Sequence, residues 1–361
     1  MLFIKERKTL MAKKKTTLPA HMEQLIKNND ITAVKEVFEQ CEWDARGGYS
    51  KGTALSFRQI SDEAVRWLVE QGADLNARDK YQRTPLHAHA AHWSGNVPLL
   101  LELGAELDAV DYTNETPLHS AVNSYRTTVV QELVTRGADI NVENKQGNTP
   151  LAKGLVNCRN SDIVSMSEIS AILLDAGASI TPAMKESVKR IGKDFEFVRE
   201  KFNQDSVDEV SDALLKLYRL FGVEPVANRI MHDGTAPIQV KATTWPEQHQ
   251  ELWEYLIPPK GHAQTVQGEV IRITGRVSHE VLDNGGGNWD GQYLKMLDAL
   301  LRYLGTGTPL APALLQEATN LVGRLRNGSD YDAPARLCEL AVLWVLNNPQ
   351  PVTMAQPGYS R

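Results

Sequence analysis

The sequence predicts an all-α protein in which a solenoid of stacked helix pairs is followed by a C-terminal helical bundle. Two short motifs recur in phase along the first half of the chain, at intervals of 32 or 33 residues except for one longer interval at the end. In the second half the recurrence stops, while apolar residues continue at the three- and four-residue steps of buried helices. A period in this range indicates stacked repeats, and its loss indicates a second kind of domain.

The first motif opens a helix. Thr-Pro-Leu-His occurs at residues 84–87 and 116–119, and Thr-Pro-Leu-Ala occurs at residues 149–152. A threonine hydroxyl can cap the N-terminus of a helix, and proline suits the first helical position because no N–H is needed there. The leucine begins the apolar stripe that packs on the neighbouring repeat. We therefore expect a helix to start at each copy.

The second motif closes each helix pair. A glycine followed by alanine stands at Gly72, Gly104, Gly137 and Gly177. Glycine ends a helix by taking a left-handed backbone conformation without strain. The last interval is 40 residues, and its surplus falls at residues 157–162. A longer loop between two helices is expected there.

Together the two motifs and their common period resemble the ankyrin-repeat family, from about Thr53 to Pro182. The resemblance implies finger-like turns that precede inner helices, and it gives His87 and His119 a structural bond back to the turn. The family usually has glycine in the turn before the first motif. Gln82 departs from that pattern, and glutamine tolerates a left-handed backbone poorly. We therefore expect a reshaped turn at residues 80–83.

Four segments are expected along the chain. Residues 1–19 are a disordered basic tail, residues 20–203 the repeat stack, residues 204–243 a helix and linker, and residues 244–361 the helical bundle. The stack should hold four or five repeats in total. They include a degenerate first repeat at His21–Glu39 and a shortened second repeat, formed by Gly52–Leu55 and Ala64–Glu70. A last helical pair at Met184–Ile191 and Phe195–Phe202 should cap the stack. The tail has no apolar core of a secretory signal. Met11 is a second candidate start of translation.

Helical patterns in the last segment are bounded by glycine and proline. They cover Trp245–Leu256, Ala263–Leu282, Trp289–Leu304, Pro309–Leu325 and Pro334–Leu346. The part from Trp245 to Asp290 resembles a helical domain of bacterial proteins without an assigned activity, and the resemblance transfers no functional residue.

No catalytic residue, metal or cofactor is expected. His279 and Asp283 would share a helix face and could bridge a metal, but a zinc-protease pattern needs a second histidine at position 283. Gly285–Gly287 lacks the lysine of a phosphate-binding loop. The cysteines Cys41, Cys158 and Cys338 are too far apart in sequence for a metal knuckle, and we expect them to be buried and reduced. With no apolar stretch of membrane-spanning length, a cytoplasmic location is expected.

A protein partner is the expected ligand. The resemblance implies that partners contact the fingers and the inner-helix surface, where aromatic and arginine side chains are the usual anchors. The candidate contact residues are Lys80, Tyr81, Arg83, His92, Trp93, Asp111, Tyr112, Glu115, Tyr125, Arg126 and Lys145, and His89 is expected on the same surface. Acidic residues outnumber basic ones between Glu70 and Ile180, which favours a basic partner. The net charge of −6 opposes nucleic acid. The oligomeric state is left open.

Three functions fit a binding scaffold of this kind. The first is an immunity protein that binds and blocks a toxin, because the chain resembles ankyrin-repeat immunity proteins of bacterial polymorphic-toxin and type VI secretion systems. The second is a host-interaction effector that uses the same stack. The third is a helical-domain enzyme with an ankyrin specificity module.

Overall fold

The computed structural model describes residues 13–326 and 330–360. This part of the chain is mostly helical and forms two compact units. Unit 1 comprises the described residues up to Phe195 together with Gln204–Val226. Unit 2 comprises Glu196–Asn203 and the described residues from Ala227 onwards. No helix among the described residues is both long and apolar enough to cross a membrane.

The elements from the first strand to the end of the stack follow in chain order. They are β1 (Lys15–Thr17), α1 (Met22–Lys27), α2 (Ile31–Gln40), β2 (Cys41–Arg46), α3 (Asp62–Glu70), α4 (Pro85–Ala90), α5 (Val97–Glu102), α6 (Pro117–Asn123), α7 (Thr127–Thr135), α8 (Pro150–Asn157), α9 (Ile163–Asp175), α10 (Pro182–Val198) and α11 (Gln204–Phe221). Single turns of 3-10 helix lie at Ala54–Ser56, Asn160–Asp162 and Arg199–Lys201. The inner helices α4, α6 and α8 pack in one row, and the outer helices α7 and α9 pack in another.

The helix starts and stops predicted from the two motifs are confirmed. Threonine occupies the N-cap of α4, α6 and α8, with proline at the next position of each helix. The four closing glycines have φ angles of 95°, 97°, 85° and 98°. Between these ends, Leu86, Leu118 and Leu151 are fully buried against neighbouring repeats. Each repeat therefore completes its core with the next one.

The turn at residues 80–83 is not reshaped, contrary to expectation. Gln82 has a φ of 63°, close to 64° at Asn114 and 75° at Gly147. The three turns share one left-handed position although only one carries glycine. Hydrogen bonds around the turn hold Gln82 in a conformation that its own preference disfavours.

Part of the expected disordered tail is ordered, and the fold contains a small sheet. Residues 1–12 lie outside the described residues, but β1 at Lys15–Thr17 pairs in parallel with β2. Leu18 is buried, and its N–H donates to the carbonyl of Arg46. The expectation of an all-α protein is corrected to this extent, because the apolar Leu18 draws the segment onto the first helices.

The last part of the stack also differs from expectation. Instead of a helical pair, Pro182–Val198 is one continuous helix, because Val188, Ile191 and Phe195 form a single buried stripe. The surplus residues of the last repeat mostly lengthen α9, which has 13 residues. The helix Gln204–Phe221, which the sequence assigns to a segment after the stack, packs on α9 within unit 1.

Unit 2 contains five helices close to those predicted. They are α12 (Trp245–Leu256), α13 (Val266–Leu282), α14 (Gly291–Leu304), α15 (Pro312–Leu325) and α16 (Ala333–Asn347). The predicted starts are up to three residues early in α13, α14 and α15. The helices surround a shared apolar core that includes Leu252, Val277 and Trp344. Helices α12 and α13 approach closely at Gly275, where the ring of Trp253 occupies the space that any side chain would need.

The expected linker after Gly222 has neither helix nor strand, yet much of it is held in place. Arg229 donates to the carbonyls of Trp253 (3.3 Å) and Ile257 at the end of α12. The N–H of His232 donates to the carbonyl of Tyr255 (2.9 Å). Ile238 is buried in the core of unit 2. These contacts tie the extended segment to unit 2.

Candidate partner-binding surface

Three finger turns of the same design stand before α4, α6 and α8. In each turn a backbone N–H donates to the carbonyl four residues later, from Asp79 to Arg83 at 2.9 Å and from Asp111 to Glu115 at 3.0 Å. The carboxylate of Asp79 accepts two backbone N–H groups of its own turn, and Asp111 does the same. The finger aspartates therefore stabilise their own turns.

Neighbouring fingers are joined through their backbones. The N–H of Lys80 donates to Ser50, that of Tyr112 to Tyr81, and that of Lys145 to Thr113. The glycine-rich loop at residues 47–52 thus forms the first finger of the row. Sequence analysis missed this finger because it precedes the first Thr-Pro-Leu-His motif.

The motif histidines have the structural role implied by the family resemblance. The N–H of Thr84 donates to Nδ1 of His87, so the ring carries its proton on Nε2 and donates to the carbonyl of Glu115 (2.9 Å). His119 repeats this arrangement one repeat later, with Asn148 as the acceptor. Burial lowers the pKa of both rings, which keeps them neutral.

His89 is buried instead of lying on the binding surface. Its Nδ1 accepts from the N–H of Asn96 (2.9 Å), and its Nε2 donates to the carbonyl of Leu55 (3.0 Å). Burial lowers its pKa to about 4. The expectation that His89 lies on the partner-binding surface is wrong, because its ring points into the stack and bonds to Leu55.

Aromatic rings and cations alternate along the finger row. The Nζ of Lys80 lies 3.8 Å from the ring centroid of Tyr49 and 4.8 Å from that of Tyr81. Arg83 also lies over Tyr81, whose ring centroid is 6.1 Å from that of Tyr112. Tyr49 and Tyr112 are exposed over 84% and 54% of their surface, respectively, which is unusual for aromatic residues. Hydrogen bonding to Tyr49, followed by the effect of Lys80, lowers the pKa of Tyr81.

His92 and Trp93 lie in the turn after α4, not on the helix itself. Trp93 is 70% exposed, with its ring centroid 5.5 Å from that of His92. Arg126, in the corresponding turn of the next repeat, donates to the carbonyl of Trp93 (3.3 Å). Since α4 has only six residues, about 9 Å separates this turn from the finger at its other end.

The remaining candidates are less free to contact a partner. Tyr125 is half-buried and donates its hydroxyl to the carbonyl of Gly154 (3.3 Å), and burial raises its pKa. Glu115 forms an ion pair with Lys153. Lys145 is exposed at the tip of the finger that precedes α8.

A groove of about 680 Å³ lies between the first finger, α1 and the residues that flank α4. We call it the finger groove and define it by six of its lining residues, which are Tyr49, Thr53, Arg58, Tyr81, Arg83 and His92. Ile26 and Phe57 contribute apolar side chains to the lining. Tyr49, Thr53 and Arg58 were not among the candidates, because the shortened second repeat carries no motif that marks its surface.

Unit 2 contains a second groove, of about 730 Å³, lined by residues of α12, α13 and α16. The sequence-derived metal candidates His279 and Asp283 lie on it and are 2.7 Å apart. Both side chains are about two-thirds exposed. Across the described residues, no group of three histidine, cysteine or acidic side chains is placed to hold a metal. Cys41, Cys158 and Cys338 are buried and unpaired, as predicted.

Comparison with protein families gives two matches within unit 1. Residues 89–182 match the family described as ankyrin repeats (3 copies), and residues 61–98 match the family described as ankyrin repeats (many copies). Comparison with curated proteins gives no match. Among solved structures, an ankyrin repeat domain from Acinetobacter baumannii AYE is 24% identical, with a TM-score of 0.41 over 56% of this chain and 98% of that chain.

The two family matches together cover residues 61–182, the part of unit 1 in which the two motifs recur. Ankyrin repeats form extended surfaces that bind other proteins. In unit 1 the finger row and the turns after the inner helices expose Tyr49, Trp93 and Tyr112.

Proposed function

We propose that this chain is an immunity protein, which binds a bacterial toxin in the cytoplasm and neutralises it without catalysis of its own. The observation that carries the proposal is the row of exposed aromatic side chains along the fingers and the turn after α4. Tyr49, Tyr112 and Trp93 are each more than half exposed. Large aromatic side chains left exposed on a rigid repeat stack are typical of a protein interface.

The candidate contact residues differ in how they would serve binding. Tyr81, Tyr112 and Trp93 offer large, exposed or half-exposed rings that a partner would cover. Lys80 and Arg83 are held against these rings, so their side chains lose little freedom on binding. We propose that these five residues form the centre of the contact, and that Asp111, Glu115, Tyr125, Arg126, His92 and Lys145 lie at its rim.

The charge of unit 1 supports a basic partner at long range. The carboxylates of Asp79, Asp111 and Glu115 are bound within the fingers, so the attraction would come from exposed acidic residues such as Asp74 and Glu106. Opposite charge raises the rate of encounter more than the affinity, and salt weakens this effect.

The experiment that tests the proposal uses the toxin encoded beside this chain's gene. Cells that produce the toxin should survive when the intact chain is co-produced, and purified chain should bind the toxin directly. Tyr81→Ala and Trp93→Ala should each weaken binding by about 2 kcal/mol or more, because truncated interface anchors lose buried contact area. Affinity by calorimetry and survival are the two measurements.

Tyr331→Ala is the matched control, since Tyr331 is a 60% exposed tyrosine of unit 2. It should bind like the intact chain. Equal binding by all three variants would place the contact away from the fingers. A chain that binds no neighbouring toxin would remove the immunity function itself.

A further inference from the structure

The finger groove carries positive charge although unit 1 is acidic overall. Of its acidic and basic lining residues, Glu23 is paired with Lys27 at 2.9 Å and Arg83 with Asp79 at 2.9 Å. Arg58 remains, and no carboxylate within the described residues forms an ion pair with it. The same holds for Lys80 over Tyr49 and for Arg126 beside Trp93. Arg58 thus lines the groove, Lys80 lies over its lining residues Tyr49 and Tyr81, and Arg126 is close enough to lower the pKa of the lining residue His92.

The groove also offers hydrogen-bond donors without partners. The hydroxyl of Thr53 is buried, with 1% of the residue exposed, and has no partner among the described residues. The N–H of Ser94 donates to Nδ1 of His92, which leaves the proton of that ring on Nε2. Within the described part of the chain Nε2 has no acceptor. A buried polar group without a partner is unfavourable, and a bound acceptor would relieve it.

We propose that the finger groove binds an acidic, extended segment of the partner protein. Its carboxylates contact Arg58, Thr53 and His92, and its apolar side chains lie on Phe57. The inference rests on the proposed function and names the chemistry of the contact. It differs from the long-range charge argument, since the groove presents cations at the surface that a partner touches.

A peptide fits the groove better than a nucleic acid does. Half-buried Phe57 provides apolar surface in the lining that Arg58, Thr53 and His92 share, which suits alternating apolar and acidic side chains along an extended chain. The net charge of −6 repels a polyanion, whereas a short segment with a few carboxylates meets mainly the local cations.

Two labelled decapeptides test the inference with the full chain. One alternates glutamate and leucine, and the other has glutamine in place of each glutamate. The acidic peptide should bind about tenfold more tightly or better, because hydrogen bonds to charged groups exceed neutral ones. The pKa of His92, which burial followed by Arg58 and Arg126 now lowers, should rise in the complex when followed by NMR.

Arg58→Gln should reduce the affinity for the acidic peptide about tenfold. Arg136→Gln is the matched control, because it removes the same charge at an exposed outer-helix end and should have no effect. Equal binding of the two peptides, or of the Arg58→Gln variant and the intact chain, overturns the inference. The inference is also overturned if a ten-nucleotide single-stranded nucleic acid binds more tightly than the acidic peptide and Arg58→Gln abolishes that binding.

The outcome is distinguishable from failure of the proposed function. A toxin whose binding needs Tyr81 and Trp93 but tolerates Arg58→Gln would retain the immunity function and refute the acidic segment. Binding of the acidic peptide through Arg58, together with no effect of the chain on toxicity, would retain the groove and refute immunity.

Discussion

The hydrogen bonds inside each of the two units span very different distances along the chain. In unit 1 the structural histidines His87 and His119 reach backbone carbonyls 28 and 29 residues away, in the next repeat. In unit 2 the side chain of Gln267 reaches Asn348, 81 residues away, and Tyr359 reaches Glu269 across 90 residues. Unit 1 is thus built from near-neighbour contacts that recur, whereas unit 2 depends on a few contacts that occur once.

The difference predicts how each unit responds to damage. A repeat stack adds the stabilities of its repeats and the interfaces between them, so the loss of one contact is confined. In a buried polar network each group has several partners, so the loss of one group weakens the hydrogen bonds of all the others.

The largest effect is expected from Glu269→Gln in unit 2. Glu269 and Arg272 are both buried and joined by two hydrogen bonds of 2.8 and 2.6 Å. Tyr359 and the N–H of Ala263 also donate to this carboxylate. Removing its charge takes away the carboxylate that faces the buried guanidinium of Arg272, which should lower the free energy of unfolding by about 3–5 kcal/mol. Calorimetry should show an earlier transition for unit 2 alone.

Glu317→Gln provides the comparison within the same unit. Glu317 pairs with Arg336 at 2.8 Å, but both side chains are more than one-third exposed. Solvent screens such a pair, so its removal should shift the transition by a small fraction of the Glu269→Gln effect. Equal shifts in the two variants, or a shift in the transition of unit 1, would contradict the contrast between the units.

The same contrast explains what the sequence could predict. Thr84 and Gly104 belong to motifs that recur, so each copy of a motif supports the same prediction of a helix start or a helix end. The Glu269–Arg272–Tyr359 network has no second copy, and residues 90 positions apart give no periodic signal. The sequence gives no sign of the finger groove for a related reason. Tyr49 and Arg58 lie in the shortened second repeat, and only the folded chain brings them together with Tyr81 and His92.

Acid should weaken unit 1 before unit 2. In unit 1, His87, His89 and His119 all have lowered pKa values, chiefly through burial. Among the described histidines of unit 2, only the half-buried His249 has such a shift. A buried neutral histidine contributes full stability above its unfolded pKa of 6.5, and this is lost as pH falls towards the folded value. For His89, with a pKa of about 4, the loss from pH 7 to pH 5 is about 2 kcal/mol.

Urea unfolding at pH 7 and pH 5 measures this difference. The midpoint of unit 1 should fall further than that of unit 2, because His87 and His119 add to the loss at His89. His89→Asn should reduce the pH dependence of unit 1 and leave that of unit 2 unchanged. A larger loss in unit 2 would show that its network, and not the histidines of the repeats, responds to acid in this range.

The smallest effect concerns the left-handed turn position that the three fingers share. Gln82 is exposed and has a φ of 63°, while the equivalent Gly147 has a φ of 75° and open space where a side chain would begin. Gln82→Gly should therefore stabilise unit 1 by about 0.5 kcal/mol, since relief of strain slightly exceeds the added freedom of the unfolded chain. Gly147→Gln should destabilise it by a similar amount, for the opposite reason. If the positions are interchangeable, the double exchange should restore the original midpoint of thermal unfolding, because distant independent sites add. A double exchange that differs from the intact chain would mean that each finger depends on its own side chain, and the repeats would then be less equivalent than their backbones.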